Sequence, residues 1–217
     1  MMEDQSNNSF QGVSVVSCGV LWPEISALRR EGFLDADDVF YTAPGLHETP
    51  KVLREQLNRQ LFKARRRSDR IVVVYGRRCY LDFRDPLETM DEVLKEVGNN
   101  ISRVEADSCV DMLASAGERE AIAGESKVYW LTPGWLLSWK AIFRDWDQGK
   151  ANEMFPRHDK AVLLDPLNFF AEFSARSPEK VLEFSDWMKI PIEPYPVTLE
   201  RLQKILLEAK RKVFPEG

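Results

Sequence analysis

The sequence predicts an α/β fold in three layers, an open and mainly parallel sheet with helices on both faces. Three observations carry that reading. Short β-branched runs alternate with longer stretches whose apolar positions recur every three or four residues, the pattern of βα units. The run Arg70-Ile-Val-Val-Val-Tyr75 is continuously apolar after its first residue, as a strand covered on both faces must be. No Gly-, Pro- or Ser-rich linker divides the 217 residues. Residues 13–217 therefore read as one α/β domain with a helical C-terminal region, behind a flexible tail over residues 1–12.

The elements follow in order. Val13-Ser-Val-Val-Ser17 is the first strand. Trp22-Pro23-Glu24-Ile25 opens a helix, with Pro23 placed where a missing N–H costs nothing, and Gly32 stops it. Val39-Phe-Tyr-Thr42 is the second strand and leads into Pro44-Gly45-Leu46-His47. From Thr49 onward, Leu53, Leu57 and Leu61 recur every four residues, which predicts an amphipathic helix. After the strand at Arg70, Gly76 is a break, and Leu87, Met90, Leu94 and Val97 form a helical stripe ended by Gly98. Ile101 to Glu105 is a weaker strand, and Val110 and Leu113 open a short helix. Lys127-Val-Tyr-Trp-Leu131 is stopped by Thr132-Pro133-Gly134, after which Trp135, Trp139, Ile142 and Trp146 follow at helical spacing. Ala161-Val-Leu-Leu164 is a sixth strand, and Pro178 to Met188 and Thr198 to Val213 are amphipathic helices. Right-handed crossovers place the helices on both faces, giving a doubly wound, Rossmann-like sandwich.

Composition narrows the function classes. Thirty basic against 35 acidic residues give a net charge of −5, the wrong balance for a general nucleic-acid binder. Apolar residues make up 44% and charged residues 30%, ordinary globular usage. No apolar run approaches a membrane span of ~20 residues, and Met1 to Gln11 has no apolar signal core. The expectation is a cytoplasmic protein with no nucleic-acid or membrane partner and no need of disulfides to fold. Gly76 lacks the glycines of a dinucleotide loop, and neither a Walker lysine nor a Gly-x-Ser-x-Gly elbow is present.

The candidate chemistry lies in four residues. Cys18, His47, Cys79 and Cys109 each follow a predicted strand, at intervals of roughly thirty residues, one βα unit each. In an open α/β sheet, ligands bind outside the carboxyl ends of the strands, near the switch in strand order. That topology would bring the three cysteines and His47 to one edge. Thiolate and imidazole are ligands for zinc and for iron–sulfur clusters. Four ligands make a closed structural site, and three leave a coordination position open. The competing reading is that each cysteine is an independent small core residue and His47 an ordinary loop histidine. Arg77 and Arg78 flank Cys79 and would lower its pKa if folded over it. With Asp107 they are candidates to surround the ligands and balance thiolate charge.

The strings Ser17-Cys18-Gly19-Val20-Leu21-Trp22-Pro23-Glu24, Gly45-Leu46-His47-Glu48-Thr49-Pro50, Tyr75-Gly76 leading to Cys79, Asp107-Ser108-Cys109, and Leu131-Thr132-Pro133-Gly134-Trp135 occur in that order. Together they resemble the domain-of-unknown-function 1638 family of anaerobic archaea and bacteria, from about Val13 to about Leu207. The resemblance implies a metal-binding protein, often encoded near corrinoid-dependent methyltransferase systems. A corrinoid protein or methyltransferase is then the implied partner. A transition metal, zinc foremost, is the implied cofactor, with an iron–sulfur cluster or corrinoid as alternatives. The family reads Tyr-Gly-x-Cys and Asp-Cys, whereas this chain has one extra residue before Cys79 and places Ser108 between Asp107 and Cys109.

Three function classes follow. The first is a metal- or metallocofactor-binding protein serving anaerobic one-carbon metabolism. The second is a zinc- or thiol-dependent methyl-transfer enzyme, and the third a module whose Trp-rich helix docks a methyltransferase. Thr132 and Trp135 are further candidates for cofactor binding, Thr132 through its hydroxyl and Trp135 as part of a wall. The competing readings are a plain strand-to-helix turn for Thr132 and a core stripe for Trp135, Trp139 and Trp146. His158 reads as a surface residue.

Overall fold

The computed structural model describes residues 9–80 and 89–214. Met1 to Asn8 of the expected tail, and Leu87 of the expected helical stripe, lie outside the described residues. Strands β1 (Val13–Cys18), β2 (Asp38–Thr42), β3 (Arg70–Val74) and β4 (Ile101–Arg103) form one sheet in the order β2-β1-β3-β4. A second sheet contains β5 (Val128–Leu131), β6 (Lys160–Asp165) and β7 (Ile192–Pro196), in that order. Every pairing is parallel, so the expected parallel α/β class is what the chain adopts. The strands divide between two sheets rather than extending one.

The helices are α1 (Trp22–Arg30), α2 (Pro50–Arg65), α3 (Met90–Val97), α4 (Ala116–Ala123), α5 (Pro133–Ile142), α6 (Gln148–Met154), α7 (Phe169–Arg176), α8 (Pro178–Met188) and α9 (Glu200–Val213). The period of two along each strand decides which layer covers it. Val13, Val15, Val72 and Val74 face a core shared with Leu28 of α1, Leu202 and Leu206 of α9, and Val162 and Leu164 of β6. Helices α1 and α9 thus share one core with strands of both sheets. Val16, Ile71 and Val73 point the other way, onto Leu53, Leu57 and Leu61 of α2 and Val93 and Leu94 of α3. On the far side of the second sheet, Ala161 and Leu163 meet Leu136 of α5 and Phe184 and Met188 of α8.

The sequence pattern located α2 and α9 because their apolar stripes are fully used: Leu53, Leu57 and Leu61 in α2, and Leu202, Leu206 and Val213 in α9, are buried. It did not locate α4 or α7, which hold no fully buried residue and meet the cores only through partly buried Ile122 and through Phe169, Phe170 and Phe173, or α6, which buries Ala151. So short an apolar face gives little period to read. Local chemistry marks α4 instead, a capping box in which Ser115 and Glu118 satisfy one another's amides. Strand β7 was hidden by Pro194 and Pro196, tolerated because it is an edge strand pairing on one side.

Leu57→Ala should cost about 2–5 kcal/mol, because Leu57 is fully enclosed between α2 and the first sheet. Phe62→Ala on the same helix, at a side chain 67% exposed, should stay within about 0.5 kcal/mol. Urea unfolding midpoints of the two variants measure the contrast.

Candidate functional site: a thiol-lined cavity

The first sheet reverses its direction of growth between β1 and β3, and ligand sites of open parallel sheets form outside the strand ends at such a point. Cys18 is the last residue of β1, and Cys79 closes a single 3₁₀ turn, Arg77–Cys79, that follows β3. Cys109 immediately precedes the turn Val110–Met112 that follows β4. The two loops are fastened to each other by backbone: the amides of Arg77 and Arg78 donate to the carbonyls of Ala106 (2.8 Å) and Asp107 (2.9 Å). A cavity of about 230 Å³ lies there, and Cys18, Cys79 and Cys109 all line it. Leu46 and His47 enter from the loop after β2, and Tyr129, Trp130 and Trp135 enter from β5 and α5.

The cavity exists because backbones approach one another unusually closely around it. A Cβ on Gly76 would collide with the backbone of Asp107 and Ser108, and one on Gly19 with the carbonyl oxygen of Thr42. At Gly134, the second residue of α5, a Cβ would overlap the Val20 carbonyl. The Cys-Gly, Tyr-Gly and Pro-Gly pairs of the sequence are therefore packing requirements at the cavity wall. Thr132 caps α5, its hydroxyl accepting from the Trp135 amide at 3.4 Å, and this fixes the helix that presents Trp135.

Electrostatically, the three thiols are one group. Burial raises the pKa of Cys18, with a backbone bond at Val20 and the Tyr75 hydroxyl opposing it. Burial and then the neighbouring Cys18 push Cys79 up to about 12. Cys109 is held well above its ordinary value by burial and then by Cys79, Cys18 and Glu24. All three are free thiols and are protonated at neutral pH. Arg77 and Arg78 do not lower Cys79 as the sequence suggested. Asp107 engages both of them, at 3.0 Å and 3.3 Å, and the cation that favours the Cys79 thiolate is Arg103.

Arg103 sits behind the cavity with its side chain 6% exposed. Its Nε and Nη2 hold both oxygens of Asp91 at 2.8 Å and 3.2 Å. Its Nη1 donates to the carbonyls of Val104 (2.6 Å), Ala106 (3.2 Å) and Tyr75 (3.4 Å). One guanidinium thereby ties the chain just ahead of Cys79 to the chain just ahead of Cys109. A charged residue in the short strand Ile101–Arg103 was the sequence signal for it. Tyr75, whose hydroxyl is hydrogen-bonded to Thr42, was absorbed in the sequence reading into the apolar strand. Glu24, in the string that opens α1, is fully buried, and among the described residues neither carboxyl oxygen has a hydrogen-bond partner outside its own residue. Burial, with Asp165 nearby, raises its pKa to about 8.

The predicted residues separate as follows. Cys18, His47, Cys79, Cys109, Arg78 and Trp135 line the cavity. Arg77 and Asp107 pair beside it, and Thr132 is buried in its capping role. His47 is exposed on the turn Leu46–Glu48, its ring 6.3 Å from that of Trp135. Among the described residues, no three His, Cys, Asp or Glu side chains are grouped as metal ligands, so the thiols share a cavity without forming a coordination shell. Trp139 and Trp146 are half-buried in an aromatic cluster with Phe143, Phe155, Phe184 and Trp187, as the core reading expected. His158 is not a plain surface residue: it is half-buried, its ring packed edge-on against Tyr129.

Fold and cavity together define a parallel α/β protein with a thiol pocket at the switch point of its sheet. The model of one family, described as protein of unknown function (DUF1638), matches residues 41–206, and the chain belongs to that family. No match to a curated protein or to a solved structure was found. No described helix is long and apolar enough to cross a membrane.

Two outcomes follow. Gly134→Ala should destabilise the protein by at least about 2 kcal/mol, although alanine is the better helix former by about 1 kcal/mol. Gly117→Ala in α4, where a Cβ meets nothing within 4 Å, should be neutral or stabilising, and thermal unfolding compares the two. For Glu24, a folded pKa raised from 4.5 to about 8 means the acid is neutral in both states below about pH 4.5. As pH rises toward 8 the unfolded chain ionises first, so stability falls, by up to about 5 kcal/mol over that window. Glu24→Gln should flatten the dependence of the urea midpoint between pH 5 and pH 8.

Proposed function

We propose that the protein binds a soft, thiophilic metal ion or small metallocofactor through Cys18, Cys79 and Cys109, with His47 at the mouth available as a fourth donor. The observation that carries this reading is the convergence of all three cysteines of the chain on one cavity, where Cys18 disfavours the Cys79 thiolate and both disfavour that of Cys109. Three protonated thiols in an apolar wall are a poor nucleophile but a suitable donor set for a cation that displaces their protons. The donor chemistry fits zinc best, with an iron–sulfur cluster as the alternative. As placed, the thiols are not grouped closely enough to ligate, so binding requires the Cys79 and Cys109 loops to draw inward. Arg103, behind Cys79, would offset part of the negative charge that ligation creates.

Bound zinc would supply a Lewis acid and, with three protein ligands, an open position. The chain's own part is to hold the thiols, exclude water with Trp130 and Trp135, and keep Arg103 as the fixed counter-charge. A cavity of about 230 Å³ is smaller than the ~300–1,000 Å³ of ordinary small-molecule sites, which favours an ion or small cluster over a whole corrinoid. Methyl transfer by a free thiol has less support, since none of the three is ionised at neutral pH. Service to corrinoid or one-carbon metabolism, through a corrinoid protein or a methyltransferase, is the physiological setting that the family resemblance suggests.

Anaerobic titration of the reduced, metal-free protein with cadmium, followed by its thiolate charge-transfer absorption, tests the reading. About one equivalent should bind, and Ser at position 18, 79 or 109 should each weaken binding more than about tenfold, or 1.4 kcal/mol. Uptake of less than about a tenth of an equivalent by the wild-type protein would overturn it.

A further inference from the structure

We infer that the thiol cavity also admits a small organic monoanion, a carboxylate with a short apolar body, whose charged end docks on Arg78. This rests on the reading that the cavity is a binding site, but it does not require a metal to be present.

The lining is mostly apolar, including Val20, Leu21, Leu46, Val74 and the aromatic wall of Trp130 and Trp135. Among the described residues that line it, Arg78 is the one formally charged side chain. Two guanidiniums at the rim share a single carboxylate. Arg77 holds Asp107 by two hydrogen bonds to one oxygen, from Nε at 3.1 Å and Nη2 at 3.0 Å. Arg78 reaches the other oxygen by a single contact at 3.3 Å, and its side chain is 67% exposed. Among the described residues the pairs leave one positive charge uncompensated, and the loosely engaged Arg78 is the group that carries it to the cavity. Arg103, itself paired with Asp91, does not add to that excess.

The same features set the ligand class. One excess cation balances a monoanion, and the planar fork of a guanidinium matches a carboxylate. A phosphate would bring a second charge and further oxygens into an apolar wall that has few donors to meet them. The volume of about 230 Å³ limits the body to a few carbons. Once seated, such a ligand lies beside Cys79, one residue from its anchor.

Matched alkylating reagents probe this directly. Iodoacetate and iodoacetamide are close in size and differ in charge. With either, the Cys79 thiolate attacks the methylene carbon, an S–C bond forms, the C–I bond breaks and iodide leaves. The measurement is the ratio of the iodoacetate to the iodoacetamide rate at Cys79, read by peptide mass spectrometry on metal-free protein in chelator at low salt. It is divided by the same ratio for an uncharged blocked cysteine. The elevated Cys79 pKa slows both reagents alike and cancels. The normalised ratio should exceed about two in the wild-type protein, fall to about one in Arg78→Gln, and stay raised in Arg78→Lys. A wild-type ratio near one, or a raised ratio that Arg78→Gln leaves unchanged, would overturn the inference. Because Arg78 is exposed, circular dichroism should show all variants folded. A failed cadmium titration with a raised ratio would sink the metal reading alone, and the converse result would sink the anion site alone.

Discussion

Where α5 begins, the backbone at Gly134 lies against the carbonyl of Val20, so closely that no side chain fits between them. Two similar contacts, Gly76 on Asp107 and Gly19 on Thr42, complete the wall around the switch point. The rest of the site depends on these approaches. They set the Cys18 loop against α5, bring Trp135 over the thiols, and lock the Cys79 turn to the Cys109 loop. Packing of this kind is intolerant, because a backbone cannot rotate away as a side chain can. It also explains why the two sheets form one site while keeping separate ladders: their strands do not pair, but their connecting segments interlock.

A second constraint is electrostatic. The cavity edge gathers groups that water would otherwise solvate, and leaves several of them without a counter-charge. Among the described residues Glu24 has no hydrogen-bond partner outside its own residue, and it is held as a neutral acid. The thiols are neutral because burial disfavours the anion, Cys79 more so for the presence of Cys18, and Cys109 more so for the presence of both. Set against this, Arg103 is fully engaged, donating to Asp91 and to three carbonyls. Buried acids held neutral without a counter-charge cost stability. Such arrangements cluster where proteins bind or react.

The departures from the sequence reading have a common origin in side-chain partners. Arg77 and Arg78 adjoin Cys79 in sequence, yet their charge is directed to Asp107, thirty residues away. Arg103, which adjoins none of the cysteines, is the cation that acts on Cys79. His158, in a polar loop, found an aromatic neighbour in Tyr129. Proximity along the chain is a weak guide to which charge faces which group, because the partner is chosen by strand order and loop closure.

Secondary structure and its layering were determined by the sequence wherever burial imposed a period, as in the alternating faces of β1 and β3 and the leucine stripe of α2. The placing of Cys18, Cys79 and Cys109 after successive strands was legible too, since a parallel sheet carries every such position to one edge. Tertiary structure alone decided that the strands split into two sheets. It alone decided that, among the described residues, the thiols share a cavity without standing in a coordination shell and Glu24 finds no hydrogen-bond partner outside its own residue. Period and propensity act over a few residues, and a sequence displays them. Distances between loops and the burial of a charge are set by contacts between residues far apart in the chain, and those exist only once the whole chain has closed on itself.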